Sequence, residues 1–168
     1  RMGHRRTFLH SGTGRCLVLV ACASLAAAAV SALGAEPPGE RLLRILDAST
    51  GRPKVTLRVE VARTLTEKVR GLQGRDGLEP GRGMLFLYPQ AAPRSFWMKG
   101  VAFPIDLVFA DGEGRITEVL EDLPPCVGPV VRCPSYRSGS PARYALELAA
   151  GQAAYSGLRP GDRLEIVP

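Results

Sequence analysis

The stretch that decides the fold is SFWMKGVAFPIDLVFAD, residues 95–111, which concentrates the bulkiest apolar side chains of the chain. It contains the only tryptophan and three of the five phenylalanines among the 168 residues. The stretch ends in the turn-forming sequence DGEG at 111–114, which can reverse a strand. We therefore predict strands at 95–98 and at 105–110 in the apolar core of one domain.

Further strand patterns lie on both sides of this stretch. Residues 55–61 alternate apolar and polar side chains, the period-two pattern of a half-buried strand. Four more segments are apolar or alternating: 84–88, 115–120, 144–148 and 163–167. About seven short strands predict a mostly β fold (α+β at the margin), either a compact β-sandwich or a partly closed barrel.

One short helix is predicted after the strand at 55–61. Thr64 and Glu67 have the spacing of a capping box, in which each side chain accepts from the other residue's amide. Apolar residues follow at helical spacing, so we expect the helix to be amphipathic; they are Leu65, Val69 and Leu72.

Residues 1–35 have the composition of an N-terminal leader. Four arginines precede an uncharged stretch of 20 residues from 16 to 35, the pattern of a secretory signal peptide with cleavage after Ala32 or Gly34. Two alternatives stay open: an uncleaved membrane anchor, and a lipoprotein signal in which Cys22 is lipidated. All three predict an extracytoplasmic domain, in the periplasm or cell envelope, either secreted or membrane-anchored.

The leader carries much of the positive charge of the chain. Removing its four arginines from the 22 basic residues leaves 18 against 16 acidic ones, a net charge of +2 from residue 36 onward. No basic run with interleaved aromatic residues occurs there, so we expect no nucleic-acid partner. Residues 36–54 are assigned to a linker and a first strand region, and residues 55–168 to a single β-rich domain.

Both histidines, His4 and His10, lie in the leader, so the domain that follows contains none. This excludes a Ser-His-Asp or Cys-His triad, a histidine general base and a histidine-containing metal site. We predict neither a cofactor nor a bound metal.

Cys126 and Cys133 are the two cysteines left after the leader. An even count in an oxidising compartment favours a disulfide. Two thiolates alone do not close a zinc site, and a redox pair is usually spaced Cys-x-x-Cys. A structural disulfide is therefore predicted, which should stabilise the fold by roughly 2–3 kcal/mol in the chain-entropy model.

Trp97 and Met98 are adjacent on a predicted strand, so one should face the core and the other outward. A lone tryptophan in a small domain favours a core position for Trp97. The alternative is a platform for a sugar ring or an apolar ligand, with Lys99 and Asp106 nearby. Met98 is the fourth candidate for ligand contact.

Asp106 places a carboxylate inside an apolar run. If Ile105, Leu107 and Phe109 face the core, Asp106 faces the other side together with Val108. A partly buried carboxylate needs a hydrogen-bonding partner, and we favour a structural role in which it accepts from loop amides. The alternative is a catalytic acid or base.

Four segments, taken in order, resemble the bacterial and archaeal family known as domain of unknown function 192. They are Arg70–Arg75 (RGLQGR), Gly83–Phe86 (GMLF), the stretch 95–111, and Pro141–Glu147 (PARYALE). The resemblance covers about 55–167 and implies the same compact β-rich domain. It supplies no reaction that can be transferred to this chain.

The chain departs from the family pattern at two places. Gln73 stands where family members generally carry methionine after Arg-Gly-Leu. Gly100-Val101 stands where an Asn-Thr pair usually follows Trp-Met-Lys. If that pair binds a ligand in the family, the present protein has lost or altered the contact.

These observations favour a non-catalytic binding module for a small molecule, an envelope glycan or an envelope protein. We expect contact with a membrane only through the leader, if it is uncleaved or lipidated. One alternative is a histidine-independent hydrolase or lyase that uses Asp106 with Lys99 or a second carboxylate. The predicted strands offer three such carboxylates: Glu60, Glu118 and Glu147. A structural role in the cell envelope is a further alternative.

Overall fold

The computed structural model describes residues 39–126 and 133–168, which fall in one unit of the chain. The predicted leader, with its cleavage and lipidation sites, lies outside these residues. In the part of the chain that is described, no helix has both the length and the apolar character needed to cross a bilayer.

The described residues form nine strands and two short helices. In chain order they are β1 Glu40–Leu46, β2 Pro53–Ala62, α1 Leu65–Arg70, β3 Arg82–Ala92, β4 Ser95–Trp97, β5 Ile105–Ala110, β6 Ile116–Leu123, β7 Ser135–Arg137, β8 Ala142–Ala149, α2 Gln152–Tyr155 and β9 Arg163–Ile166. The mostly β class is confirmed, and each of the seven predicted strands is present within two residues or so of its expected ends, apart from the longer β3 and β6.

Seven strands form one sheet in the order β6-β5-β8-β3-β2-β1-β9, and β4 pairs with β7 in a separate two-stranded ribbon. Strands β2 and β3 run parallel, so the chain must cross over between them through α1 and the loop that follows it. The other strand pairs are antiparallel. This crossover carries the Arg-Gly-Leu segment over the sheet.

The sheet curls until its two edges touch, which makes it a partly closed barrel. The Ile116 amide donates to the Asp162 carbonyl oxygen across 2.7 Å, and the Leu164 amide donates to the Gly114 carbonyl oxygen across 2.7 Å. The Gly161 amide donates in turn to the Ile116 carbonyl oxygen across 2.8 Å. These bonds satisfy part of the edge that β6 and β9 would otherwise leave open.

The inner face of the barrel is an apolar core to which all seven strands contribute. Val108, Leu146 and Leu148 lie at its centre on β5 and β8, and Ala153 and Leu158 add side chains from α2 and the turn after it. Its other buried members are Leu43, Ile45, Leu57, Val59, Leu85, Ala110, Ile116 and Leu164.

A second core covers the outer face of β3, β5 and β8. The ribbon β4–β7 lies against it through Phe96 and Tyr136, and Leu72 from the crossover loop is buried in it. The Phe96 ring meets the rings of Phe86 and Phe109 edge-on, with centroids 4.9 and 5.7 Å apart. The fold therefore has a closed inner core and an outer layer in which the sequence motifs meet.

Helix α1 begins as predicted but does not pack as predicted. The Thr64 hydroxyl accepts from the Glu67 amide, and the Glu67 carboxylate accepts from the Thr64 amide at 2.8 Å, so the capping box is present. However, Leu65 and Val69 are 79% and 54% exposed. The expectation of an amphipathic helix was wrong, because the helix buries none of its own side chains. Its six residues are kept in place by the capping box at their start and by the buried Leu72 that follows them.

Candidate functional site

Asp106 lies on the inner face of the barrel and is fully buried. Its Oδ1 accepts from the Asp122 amide at 3.0 Å, and its Oδ2 accepts from the Ala153 amide at 2.8 Å. Asp122 has a left-handed backbone with φ of 53°, at a bulge where β6 slips relative to β5. The Asp106 carboxylate thus holds this bulge and the start of α2, in the manner of a structural carboxylate.

The sheet separates Asp106 from the other predicted site residues. On β5, Asp106 faces inward with Val108, whereas Leu107 faces outward and stands opposite Glu147 of β8. Lys99 follows the ribbon on the outer side. The geometry therefore brings neither Glu147 nor Lys99 to Asp106, and a hydrolase or lyase built on these pairs has no structural support.

Trp97 and Met98 face opposite ways, as their adjacency indicated. Met98 is only 2% exposed and belongs to the outer core, whereas Trp97 is 48% exposed. The preference for Trp97 as a core side chain was wrong, because the narrow ribbon covers the sheet with its Phe96 and Tyr136 side. The Lys99 Nζ lies 5.6 Å from the Trp97 ring centroid, so these two candidates share one surface.

Cys126 and Cys133 are joined in a disulfide with their Cα atoms 5.8 Å apart. The Cys126 carbonyl oxygen accepts from the Gly100 amide at 3.0 Å, and the Cys126 amide donates to the Val101 carbonyl oxygen at 3.2 Å. The disulfide is therefore attached to the backbone immediately after Trp97-Met98-Lys99.

A narrow cavity of about 70 Å³ lies where the crossover loop, β3, β4 and β8 meet. Its side nearest α1 is the segment from Lys68 to Gln73, and Trp97 lies on its wall. The remaining lining residues are Phe86, Tyr88, Ser95, Phe96, Val101 and Glu147. The Arg-Gly-Leu and Phe-Trp-Met-Lys segments of the sequence are thus two walls of one cavity.

Glu147 is the polar group at the base of this cavity. It is only 5% exposed, and its buried Oε2 has no hydrogen-bond partner among residues 39–126 and 133–168. The other buried acids among the described residues are all paired. Glu40 contacts Arg82, Asp106 accepts from two amides, and Asp162 binds the Lys54 ammonium at 2.6 Å.

Burial raises the pKa of the Glu147 carboxyl to about 8, against a smaller lowering by the positive charge of Arg75. At neutral pH the group is therefore mostly protonated and can donate a hydrogen bond into the cavity. A buried polar group without a partner is costly, which makes this carboxyl the strongest indication of a ligand site on the described surface.

The Arg-Gly-Leu turn passes directly above this carboxyl. Gly71 ends α1 with φ of 47°, and a side chain added there would lie 3.4 Å from the Phe86 ring and 3.9 Å from the Glu147 Oε2. Glycine is required here by the backbone, since L side chains rarely adopt a positive φ, whereas a Cβ would make only ordinary van der Waals contacts with the ring and the carboxyl.

Cations surround the opening of the cavity. The Lys68 Nζ lies 4.3 Å from the Tyr88 ring centroid, and the Arg94 guanidinium lies 3.7 Å from the same ring. Partial burial lowers the pKa of the Lys68 ammonium, and the neighbouring charge of Arg94 lowers it further. Arg70 adds a third positive charge from the end of α1.

A second depression of about 200 Å³ lies near the first and shares Arg70 and Gly71 with it. Its main polar groups already satisfy one another, because Arg75 donates to both Glu60 carboxylate oxygens at 2.5 and 2.8 Å. The smaller cavity is therefore the better candidate for a ligand, since its carboxyl has no such partner.

The two departures from the family pattern contact each other. Gly100 has φ of 68°, and a side chain at this position would lie 3.5 Å from the Gln73 side chain. Gln73 lines the cavity, and its Nε2 donates to the Val69 carbonyl oxygen at 2.5 Å. The changes from methionine and asparagine thus alter one corner of the same site.

The sequence contained Glu147 but gave no reason to prefer it to Glu60 or Glu118. Glu147 lies in the buried run Ala145–Leu148, but Glu60 also stands between two apolar residues, so burial in the structure separates them and the sequence does not. No three His, Cys, Asp or Glu side chains are grouped closely enough to hold a metal ion in the segments the structure describes.

Together these features define a partly closed β-barrel domain with a small, carboxyl-based cavity on its outer face. A family model for DUF192, described as uncharacterized, matches residues 46–166, and the chain belongs to this family. The resemblance noted in the sequence is thereby confirmed. No curated protein matches the chain.

Two solved structures are similar to the chain. One, from Sinorhizobium meliloti 1021, is described as a "putative transcription regulator". It is 32% identical, with 79% of this chain and 98% of that chain covered and a TM-score of 0.69. The other is a protein of unknown function from Novosphingobium aromaticivorans DSM 12444. It is 28% identical, with 75% of this chain and 84% of that chain covered and a TM-score of 0.66.

Proposed function

We propose that this protein is a non-catalytic, exported binding module, and that its ligand is a small molecule held in the cavity between the Arg-Gly-Leu turn and the Trp97 strand. The observation that carries this proposal is the Glu147 carboxyl, buried at the base of the cavity with its Oε2 unpartnered among the described residues. A ligand that hydrogen-bonds this group would offset the cost of burying it.

The size of the cavity favours a small molecule over the other partners considered. About 70 Å³ is too little space for a sugar ring, and a protein partner needs a far larger contact surface. Phe86 and Phe96 supply apolar walls, and Trp97 is exposed at the side of the cavity where it can contact a bound group.

Export is the part of the proposal that rests on the sequence alone. The basic start and the uncharged stretch of residues 16–35 support a signal peptide or anchor. A reporter enzyme that is active only outside the cytoplasm, fused after Pro168, should be active. A silent reporter with an uncleaved cytoplasmic product would refute export and leave the cavity proposal in place.

Nucleic-acid binding is not part of the proposal. The words "putative transcription regulator" describe the Sinorhizobium protein and are not transferred to this chain. Helices α1 and α2 have six and four residues, which is short for a helix that reads the major groove. The nearly balanced charge from residue 36 onward also supplies little attraction for a phosphate backbone.

Fluorescence of the single tryptophan provides a direct test. A library of charged and uncharged fragments is titrated into the purified protein, and the emission of Trp97 is recorded. Fragments should bind the parent and the Tyr155→Ala control, whose exposed side chain lies outside the cavity. Their binding should be lost in Val69→Phe, which enlarges an exposed side chain that lines the cavity. An absence of fragments with this pattern would overturn the proposal.

A further inference from the structure

The cavity has two chemically different ends. At its base lies the Glu147 carboxyl, whose Oε2 is buried without a partner among the described residues and which, mostly protonated near neutral pH, can donate a hydrogen bond. At its opening stand the positive charges of Lys68 and Arg70, with Arg94 behind Tyr88. A ligand that satisfies both ends must itself carry two different groups.

The cations at the opening form no ion pair with acids of the described residues, although the Glu67 carboxylate attracts the Lys68 ammonium at longer range. Seven ion pairs occur among the described residues, and their cations are Arg44, Lys54, Arg75, Arg82 and Arg159. Lys68 instead donates to the Arg63 carbonyl oxygen at 2.7 Å, and Arg94 donates to the carbonyl oxygens of Gln90 and Ala142. Their charge remains available to an anion.

A carboxyl group surrounded by aromatic rings, as Glu147 is here, would ordinarily suggest an amine ligand. Here the cation positions above the Tyr88 ring are already taken by Lys68 and Arg94, at 4.3 and 3.7 Å from its centroid. A third positive charge would be repelled by both side chains and by Arg70. The charges of the opening therefore select against an ammonium group.

We propose that the cavity binds a small organic anion whose uncharged end carries a hydrogen-bond acceptor. The acceptor enters between Phe96 and the Gly71 turn and takes the hydrogen bond of Glu147. The anionic group stays at the opening beside Lys68 and Arg70. This assignment rests on the proposed function and adds the chemical class of its ligand.

Four matched probes separate the two halves of this proposal. They are 4-oxopentanoate, which has both groups, pentanoate, which lacks the ketone, methyl 4-oxopentanoate, which lacks the charge, and pentylamine, which lacks the ketone and carries the opposite charge. Binding is measured by Trp97 fluorescence at neutral pH and at constant ionic strength. We expect 4-oxopentanoate to bind at least about tenfold more tightly than each of the other three, since each missing contact is worth about that factor.

Variants assign each preference to its residue. Glu147→Leu should abolish the advantage of 4-oxopentanoate over pentanoate, and Glu147→Gln, which keeps an N–H donor, should preserve it. Lys68→Gln combined with Arg70→Gln should abolish its advantage over the methyl ester. Arg44→Gln removes an exposed cation of β1 that is paired with Glu165, and it should change none of these ratios. Thermal unfolding of each variant verifies that it is folded.

The outcomes distinguish a wrong ligand class from a wrong site. If the methyl ester or pentylamine binds as tightly as 4-oxopentanoate and Val69→Phe abolishes that binding, the site stands and the anion class is overturned. If none of the four probes binds, the class is overturned, and the fragment library decides the fate of the site separately. Preferences that survive in the Glu147→Leu and Lys68→Gln/Arg70→Gln variants would also overturn the inference.

Discussion

The Gly74 amide donates a hydrogen bond to the Gly100 carbonyl oxygen across 3.1 Å, joining the crossover loop just after the Arg-Gly-Leu turn to the turn after the Trp97 strand. The two segments are distant in sequence, since one follows α1 and the other follows β4, and they meet in the outer layer. Their backbone contact fixes the width of the cavity between them, because each segment supplies one of its walls.

Substitution of Gly100 tests this corner of the cavity. Gly100→Asn should cost less than about 1 kcal/mol, because asparagine tolerates the left-handed backbone and the space beside Gln73 accepts a Cβ. Gly100→Val should cost about 2 kcal/mol or more, because a β-branched residue is strained at φ of 68°. Urea denaturation of the three proteins measures the difference. Equal midpoints for the valine and asparagine variants would contradict the assigned backbone.

Glu147 should make the domain less stable as pH rises from about 4.5 to about 8. Its folded pKa of about 8 exceeds the ordinary 4.5, so the folded state binds the extra proton in this window. Stability is therefore fully present below the lower value and falls until the carboxyl ionises in both states. The total loss is on the order of 3–5 kcal/mol, since one pKa unit corresponds to about 1.4 kcal/mol.

Glu147→Gln is the matched control for that profile. The variant should show a flat free energy of unfolding between pH 5 and 8, because no titration occurs at position 147. The other charged or titratable groups near the cavity are unchanged between the two proteins; they are Lys68, Arg70, Arg75, Tyr88 and Arg94. Parallel profiles for the parent and the variant would show that Glu147 is ionised throughout.

Asp106→Ala and Asp106→Asn should both destabilise the domain by roughly 1–3 kcal/mol. Alanine leaves the Asp122 and Ala153 amides without their acceptor, and asparagine turns an NH₂ donor toward one of them. The exposed Asp76→Asn serves as the control and should be nearly neutral. Chemical denaturation gives all three values. Unchanged midpoints for both Asp106 variants would refute its structural role and return it to the list of candidate catalytic groups.

The Cys126–Cys133 disulfide should lower the mass of the non-reduced protein by two hydrogens, as mass spectrometry can measure. Replacing both cysteines with serine should cost roughly 2–3 kcal/mol, because the unfolded chain regains the entropy of a short open loop. Reductant should not change the stability of the serine variant. It should lower the stability of the parent by about as much as the double substitution does. Maleimide labelling of Cys126 or Cys133 in the native, non-reduced protein would contradict the bridge.

Local patterns predicted the strands well, because a strand can be recognised from the alternation or run of apolar residues within its own segment. The run Ile105–Ala110 is a strand with the predicted bounds, and the Thr64–Glu67 capping box starts α1. The order of the strands was not predictable, since it depends on which distant segments pair. Strand β7 of three residues was also missed, because its pairing with β4 defines it more than its composition does.

The candidate site was predictable only in part for the same reason. The sequence indicated Trp97 and Lys99 as neighbours, but the cavity arises from a parallel crossover that brings Gly71 over a strand near the end of the chain. Glu60, Glu118 and Glu147 look alike in sequence, and burial alone separates them. An unpaired carboxyl is a property of three-dimensional surroundings that no local pattern encodes.

The pairing of β1 with β9 has a consequence for how quickly the domain can fold. Leu43 stands opposite Ile166, so the barrel closes only when the two ends of the domain meet. Contacts between segments so far apart in sequence slow folding, since the entropy of the intervening loop is lost before the contact is gained. A chain that is still emerging from a ribosome lacks its last strand and keeps the inner core open. The native barrel therefore forms only after residues 163–166 have emerged.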